Sequence, residues 1–167
     1  IGPSGAGKST LLYVLRGIWP YGEGHIHLPQ GKRLFLSQQP YLPVGTIADI
    51  LSYPGEASVL PPERLAYILD AVELSSLFTE RAVEKDWSMI LSPGEQQRLA
   101  LGRLWVQEPS WAFLDESLSS VDTARSARIL ARLKADYPSL SVFGIEHHHV
   151  DRAFYDTVLH WADLRKH

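Results

Sequence analysis

Gly2, Gly7, Lys8 and Ser9 stand at the spacing G-x-x-x-x-G-K-S/T, and no other stretch of this chain narrows its fold as much. Glycines at these places free the backbone, so that successive N–H groups wrap an oxyanion at the start of a helix, where the helix dipole adds to the attraction. The lysine then reaches the terminal phosphates of a nucleoside triphosphate, and the Ser9 hydroxyl can ligate Mg²⁺. The context that this requires follows at once, because the apolar stretch Leu11–Leu15 reads as a helix ending near Gly17 and Pro20. The plainer alternative is a glycine-rich turn capping a helix. The lysine and serine in register weigh against it.

Beyond the loop, short apolar runs alternate with helical patterns. Arg33–Leu36, Trp111–Leu114, Ser141–Ile145 and Thr157–Trp161 read as strands, the first two buried and the first three ending in polar residues. Leu65, Ile68, Leu69 and Val72 follow Pro61-Pro62-Glu63 at the spacing of an amphipathic helix. A second helix is expected from about Pro93 to Gln107. A third spans about Thr123 to Asp136, with Asp122 as its N-cap and Pro138 as its stop. This alternation predicts an α/β fold with a mostly parallel sheet flanked by helices. The 45% hydrophobic and 21% charged residues are those of a folded domain. Cysteine is absent, which excludes disulfides, Cys-ligated metal and a thiol nucleophile. With 16 Lys+Arg against 19 Asp+Glu the net charge is -3, so no electrostatic footprint for nucleic acid appears. No apolar run reaches the roughly 18 residues needed to cross a bilayer.

Three further features gain meaning beside the loop. Ser92 and Glu95 form an S-x-x-E capping box with Pro93 at the first helical position. That string can simply start a helix, or it can present a second helix terminus to an anion. Asp115-Glu116 ends a buried strand, where ligands of open α/β sheets bind. The pair is either a solvated turn or a site; next to a phosphate loop, Asp115 becomes a Mg²⁺ partner through water and Glu116 a base that orients the attacking water. Gln38 follows a strand and is either an ordinary loop amide or a sensor of Mg²⁺ and the lytic water. His147 is either a surface histidine or a donor to γ-phosphate. With His148 and His149 it does not make a metal tract, because consecutive residues of an extended chain point to opposite faces.

The ordered set of Gly2–Thr10, Gln38, Leu91–Arg98, Phe113–Glu116, Ser119–Asp122 and His147 resembles the nucleotide-binding domain of ABC transporters over almost the whole chain. By that resemblance Gly2, Pro3, Ser4, Gly5, Ala6, Gly7, Lys8, Ser9 and Thr10 are the Walker A loop, and Gln38 is the Q-loop glutamine. Ser92, Pro93, Gly94 and Glu95 are the signature, which faces the ATP of a partner domain. Asp115 and Glu116 are Walker B and the catalytic glutamate, Ser119 to Asp122 the D-loop, and His147 the switch histidine. The implied Mg²⁺ partners are Ser9, Gln38 and Asp115. Two departures stand out: Pro93 replaces a signature glycine and removes one backbone donor, and Ser37 stands where a proline is common. Gln39–Thr46 and the signature glutamate are similar to those of the peroxisomal fatty-acyl half-transporters and their bacterial BacA-like vitamin B12 and peptide relatives.

The resemblance implies a P-loop NTPase core at about 1–40 and 108–167, with an inserted helical subdomain at about 41–107. It implies an ATPase using Mg²⁺, a head-to-tail dimer with sites completed in trans, and a transmembrane domain fused upstream. The expected location is the cytoplasmic face of a membrane, the bacterial inner membrane in particular. Walker A normally follows a strand and a β-rich region carrying an aromatic residue that stacks on adenine. Only Ile1 remains of that strand, so the chain reads as a domain cut on its N-terminal side. A soluble ABC-type ATPase acting on nucleic acid or ribosomes is disfavoured, since the segment from Gln38 to Ser92 is too short for a long coiled-coil arm. A nucleotide sensor without turnover is disfavoured by the joint presence of Lys8, Asp115, Glu116 and His147.

Overall fold

The structure is a computed structural model that describes residues 2, 5–28, 30–55, 60–146, 154–161 and 163. Its framework is three parallel strands in the order β1-β2-β3, where β1 is Arg33–Leu36, β2 Trp111–Asp115 and β3 Ser141–Ile145. Leu36 pairs with Leu114, and Asp115 with Ile145. Side chains alternate across a strand, and this alternation divides the core in two. Leu34, Leu36, Ala112 and Leu114 face one side, where they join a large cluster containing Ile47, Leu69, Trp87, Trp105 and Leu130. Phe35, Phe113 and Phe143 face the other side, with Phe35 and Phe113 stacked at 4.4 Å. That second face is covered by α1 (Lys8–Arg16), which seats Leu12 and Leu15 on the phenylalanines.

The 74 residues between β1 and β2 are mostly helical among those described. They hold α2 (Ile47–Ser52), α3 (Pro62–Ala71), α4 (Pro93–Leu101), α5 (Arg103–Gln107) and 3-10 turns at Ser75–Glu80 and Trp87–Met89. The start of α2 is fixed by a reciprocal capping box, in which the Thr46 hydroxyl and the Asp49 carboxylate satisfy each other's backbone. Helix α3 buries Leu65, Ile68 and Leu69, with Val72 just past its end, as the spacing predicts. After β2, α6 (Thr123–Asp136) begins where the Asp122 side chain accepts from the Arg125 N–H and ends two residues before Pro138.

Two expectations are corrected. The helix expected over Pro93–Gln107 is two helices that meet at Gly102. A Cβ at Gly102 would come within 2.6 Å of Leu51 Cδ2 and 3.1 Å of Ile68 Cγ2. Close packing of α2 and α3 on that point, absent from any local pattern, sets the break. Thr157–Trp161 is not a strand. Among the described residues its backbone joins no ladder, although β3 is the last strand of the sheet. The 154–161 segment instead lays side chains against β3, with Tyr155 over Gly144. It walls a cavity of about 400 Å³ lined also by Lys8, Val142 and Glu146. The buried Tyr155 hydroxyl and Trp161 Nε1 have no hydrogen-bond partner there among the described residues.

Arg103 is buried and ties α5 to the segment after β1. Its Nε donates to the Ile50 carbonyl at 3.0 Å and its guanidinium to the Tyr41 carbonyl at 2.6 Å. Burial pulls its pKa down to about 10, yet it remains charged at neutral pH. Arg103→Met should lower unfolding stability by about 3 kcal/mol, because two carbonyls lose a charged donor; urea unfolding measures it.

Candidate functional site

The loop before α1 takes the shape that its glycines allow. Gly5 and Gly7 have φ of 72° and 93°, in the left-handed region that residues with a Cβ rarely enter. Gly7 is the N-cap, so the first N–H groups of α1 have no side-chain cap. A helix start of this kind attracts anions. Lys8 is buried, and its Nζ donates to the Gly2 carbonyl at 2.8 Å, which folds the side chain back across the loop.

Alternation along β2 puts Asp115 on the α1 face, in register with Phe113. The Ser9 hydroxyl donates to Asp115 Oδ1 at 3.0 Å, joining positions 106 residues apart. A hydroxyl and a carboxylate side by side are the hard oxygen donors that suit Mg²⁺. Glu116 has φ of 50°, a strained value for a side-chain-bearing residue, and its N–H still reaches the Ile145 carbonyl at 2.9 Å. The chain turns off the sheet at that residue.

The second terminus is capped from within. The Ser92 hydroxyl donates to Glu95 Oε2 at 2.7 Å, the Ser92 N–H donates to the same oxygen at 2.9 Å, and the Glu95 N–H returns to Ser92 Oγ. The Ser92 hydroxyl, and then its N–H, hold the Glu95 carboxyl below the usual range. Pro93 sits at the first helical position, as expected. Gly94 lies against the next loop, where a Cβ would come within 2.6 Å of the Ser120 carbonyl oxygen.

The structure therefore brings Ser9 to Asp115, and Gly94 to Ser120, while Asp122 caps α6. It does not bring the Gln38 side chain to either expected Mg²⁺ partner. That side chain is exposed, and among the described residues no hydrogen bond joins it to Ser9 or Asp115. Pro3, Ser4 and His147 lie outside the described residues.

Two residues at this end of the sheet escaped sequence reading. Glu146 directly follows β3, and its pKa is pushed up to about 7 by burial, then by the nearby charges of Glu116 and Asp115. Its place after a strand, like that of Asp115 at the end of β2, was the available signal. Gln97 is a buried amide on α4, four residues before the buried Leu101. A polar side chain on the apolar side of a helix is the sign that marks it.

Residues 1–119 match the family model described as ABC transporter. The chain is 41% identical over 146 residues to an "Uncharacterized ABC transporter ATP-binding protein" of Haemophilus influenzae, covering 87% of the chain and 25% of that protein. It is 39% identical over 170 residues to ABC transporter D family member 1 of Arabidopsis thaliana, covering 95% and 13%. Against the inner membrane ABC transporter ATP-binding protein YddA of Escherichia coli it is 35% identical over 148 residues, covering 87% and 26%. The chain thus spans about a quarter or less of the length of these curated relatives.

Proposed function

Since the chain belongs to the ABC transporter family, we propose that it binds and hydrolyses ATP as the motor of a membrane transporter. The observation that carries this reading is the Ser9 to Asp115 hydrogen bond, which puts the phosphate loop and the acidic strand end in one site. Backbone N–H groups at the start of α1 take the phosphates, and Lys8 swings from the Gly2 carbonyl to the terminal phosphoryl oxygens. Ser9 and Asp115 would hold Mg²⁺, Asp115 through water, and Gln38 would complete the set. Bound there, the ion would supply charge neutralisation for the phosphates. Glu116 accepts the proton of the attacking water, and His147 donates to the γ-phosphate.

The α4 terminus and the 119–122 loop serve a second ATP, held by a partner domain in a head-to-tail dimer. Gly94 keeps its N–H for that phosphate although Pro93 lacks one. Residues 41–107 act as the family's helical subdomain. The transporter portion is a fused transmembrane domain, and the chain works on the cytoplasmic face, in a bacterial inner membrane. The greater lengths of the relatives support a further domain, and the Escherichia coli relative's name, which includes inner membrane, supports the location.

The test is Mg²⁺-dependent phosphate release by the complete protein in lipid, with nucleotide binding measured alongside. Lys8→Ala should weaken ATP binding at least about tenfold, through loss of a charge-assisted phosphate contact. A complete protein that neither binds ATP nor releases phosphate would overturn the reading.

A further inference from the structure

Gln97 is only 3% exposed and its amide is used at both ends. Nε2 donates to the Gln38 carbonyl at 2.8 Å and to Ser119 Oγ at 3.2 Å, while Oε1 accepts from the Ser120 N–H at 2.9 Å. Three of the four hydrogen bonds that the amide makes most readily are therefore filled. Its partners lie on two loops at the same end of the sheet, one following β1 and one following β2. Those loops are also joined at their base, where the buried Ser117 hydroxyl donates to the Leu36 carbonyl at 2.8 Å. One turn before Gln97, Gly94 fits against the Ser120 carbonyl with no room for a side chain. Helix α4 thus meets the 119–121 loop by backbone contact and by a buried amide that continues to Gln38.

The geometry points to Gln97 as a positioning residue that makes the Gln38 loop, the α4 terminus and the 119–121 loop move as one body. This rests on the functional reading above, in which Gln38 faces the ATP of its own domain and the other two face the ATP of the partner. A shift at Gln38 on nucleotide binding or phosphate loss would then reach both trans-acting segments through one side chain. Gln97 touches no substrate in this scheme. It sets where the groups that do so stand.

Only a side chain that both donates and accepts can hold all three partners. Gln97→Glu keeps the shape and loses the donor to Gln38 and Ser119, while Gln97→Met keeps the approximate volume and loses both functions. In the complete protein, each variant should lower kcat about tenfold with KM for ATP within about twofold, the sign of a defect in assembling the site and not in loading it. Amide hydrogen exchange supplies a second readout. ATP should protect both the 5–10 and the 119–121 segments in the parent, but the 5–10 segment alone in the variants.

Parent-like kcat together with parent-like protection of 119–121 would overturn the proposal while leaving ATP hydrolysis intact. Loss of cooperative melting in both variants would also overturn it, by making Gln97 a stabilising residue only. An inactive parent would instead be the failure of the functional reading, which keeps the two apart.

Discussion

Glu116→Gln in the complete protein is expected to cut phosphate release about a thousandfold while leaving ATP binding in place. Glutamine has the same length and still hydrogen bonds to water, but it cannot take a proton, and a positioned base contributes about a hundred- to ten-thousandfold. The substitution adds no new backbone demand, since Glu116 already occupies φ of 50° and pairs through its N–H to the Ile145 carbonyl. Binding should persist because the loop of Gly5, Gly7 and Lys8 is untouched. Single-turnover phosphate release and nucleotide titration separate the two. Unchanged turnover would remove Glu116 from its role as base.

Glu146→Gln should stabilise the protein at pH 8 and change little at pH 5. Burial, with Glu116 and Asp115 adding repulsion, raises the folded-state pKa from 4.5 to about 7. Below pH 4.5 both folded and unfolded chains keep the proton, so the group has no effect on stability. Between 4.5 and 7 the unfolded chain releases a proton that the folded chain retains, and stability falls as pH rises. Above about 7 the loss is complete, on the order of 3 kcal/mol. Glutamine mimics the neutral carboxyl at every pH and escapes the loss. Thermal melting should therefore show an increase of roughly 8 °C at pH 8. An equal increment at both pH values would show that the carboxyl does not titrate in this range.

What could be read in advance followed locality. Asp122 and Pro138 bracket α6 because a cap and a stop act within one turn, and the helix runs between them. Asp115 was legible because it directly follows an apolar run, which puts it at the carboxyl end of a strand, and the pleat then turns it toward α1. The capping box of Thr46 and Asp49 was equally local and passed unnoticed. The break at Gly102 was not legible, since it comes from Leu51 and Ile68, far off in sequence. Nor was the fate of Thr157–Trp161, because an apolar run becomes a strand only where its backbone pairs with another, and here side chains alone meet β3. The burial of Arg103 and Gln97 was not legible either, because it depends on carbonyl partners from segments distant in sequence.

The α4 terminus already holds an anion of its own. The Glu95 carboxylate occupies the Ser92 hydroxyl and N–H, so a phosphate bound there, as proposed above, would arrive as a replacement and not as a first occupant. Its net gain is the difference between two anions competing for one set of donors. Such an exchange favours the more highly charged competitor and makes release easy once that charge is gone. When such a phosphate left, the Ser92 hydroxyl and N–H would return to the Glu95 carboxylate that holds them now.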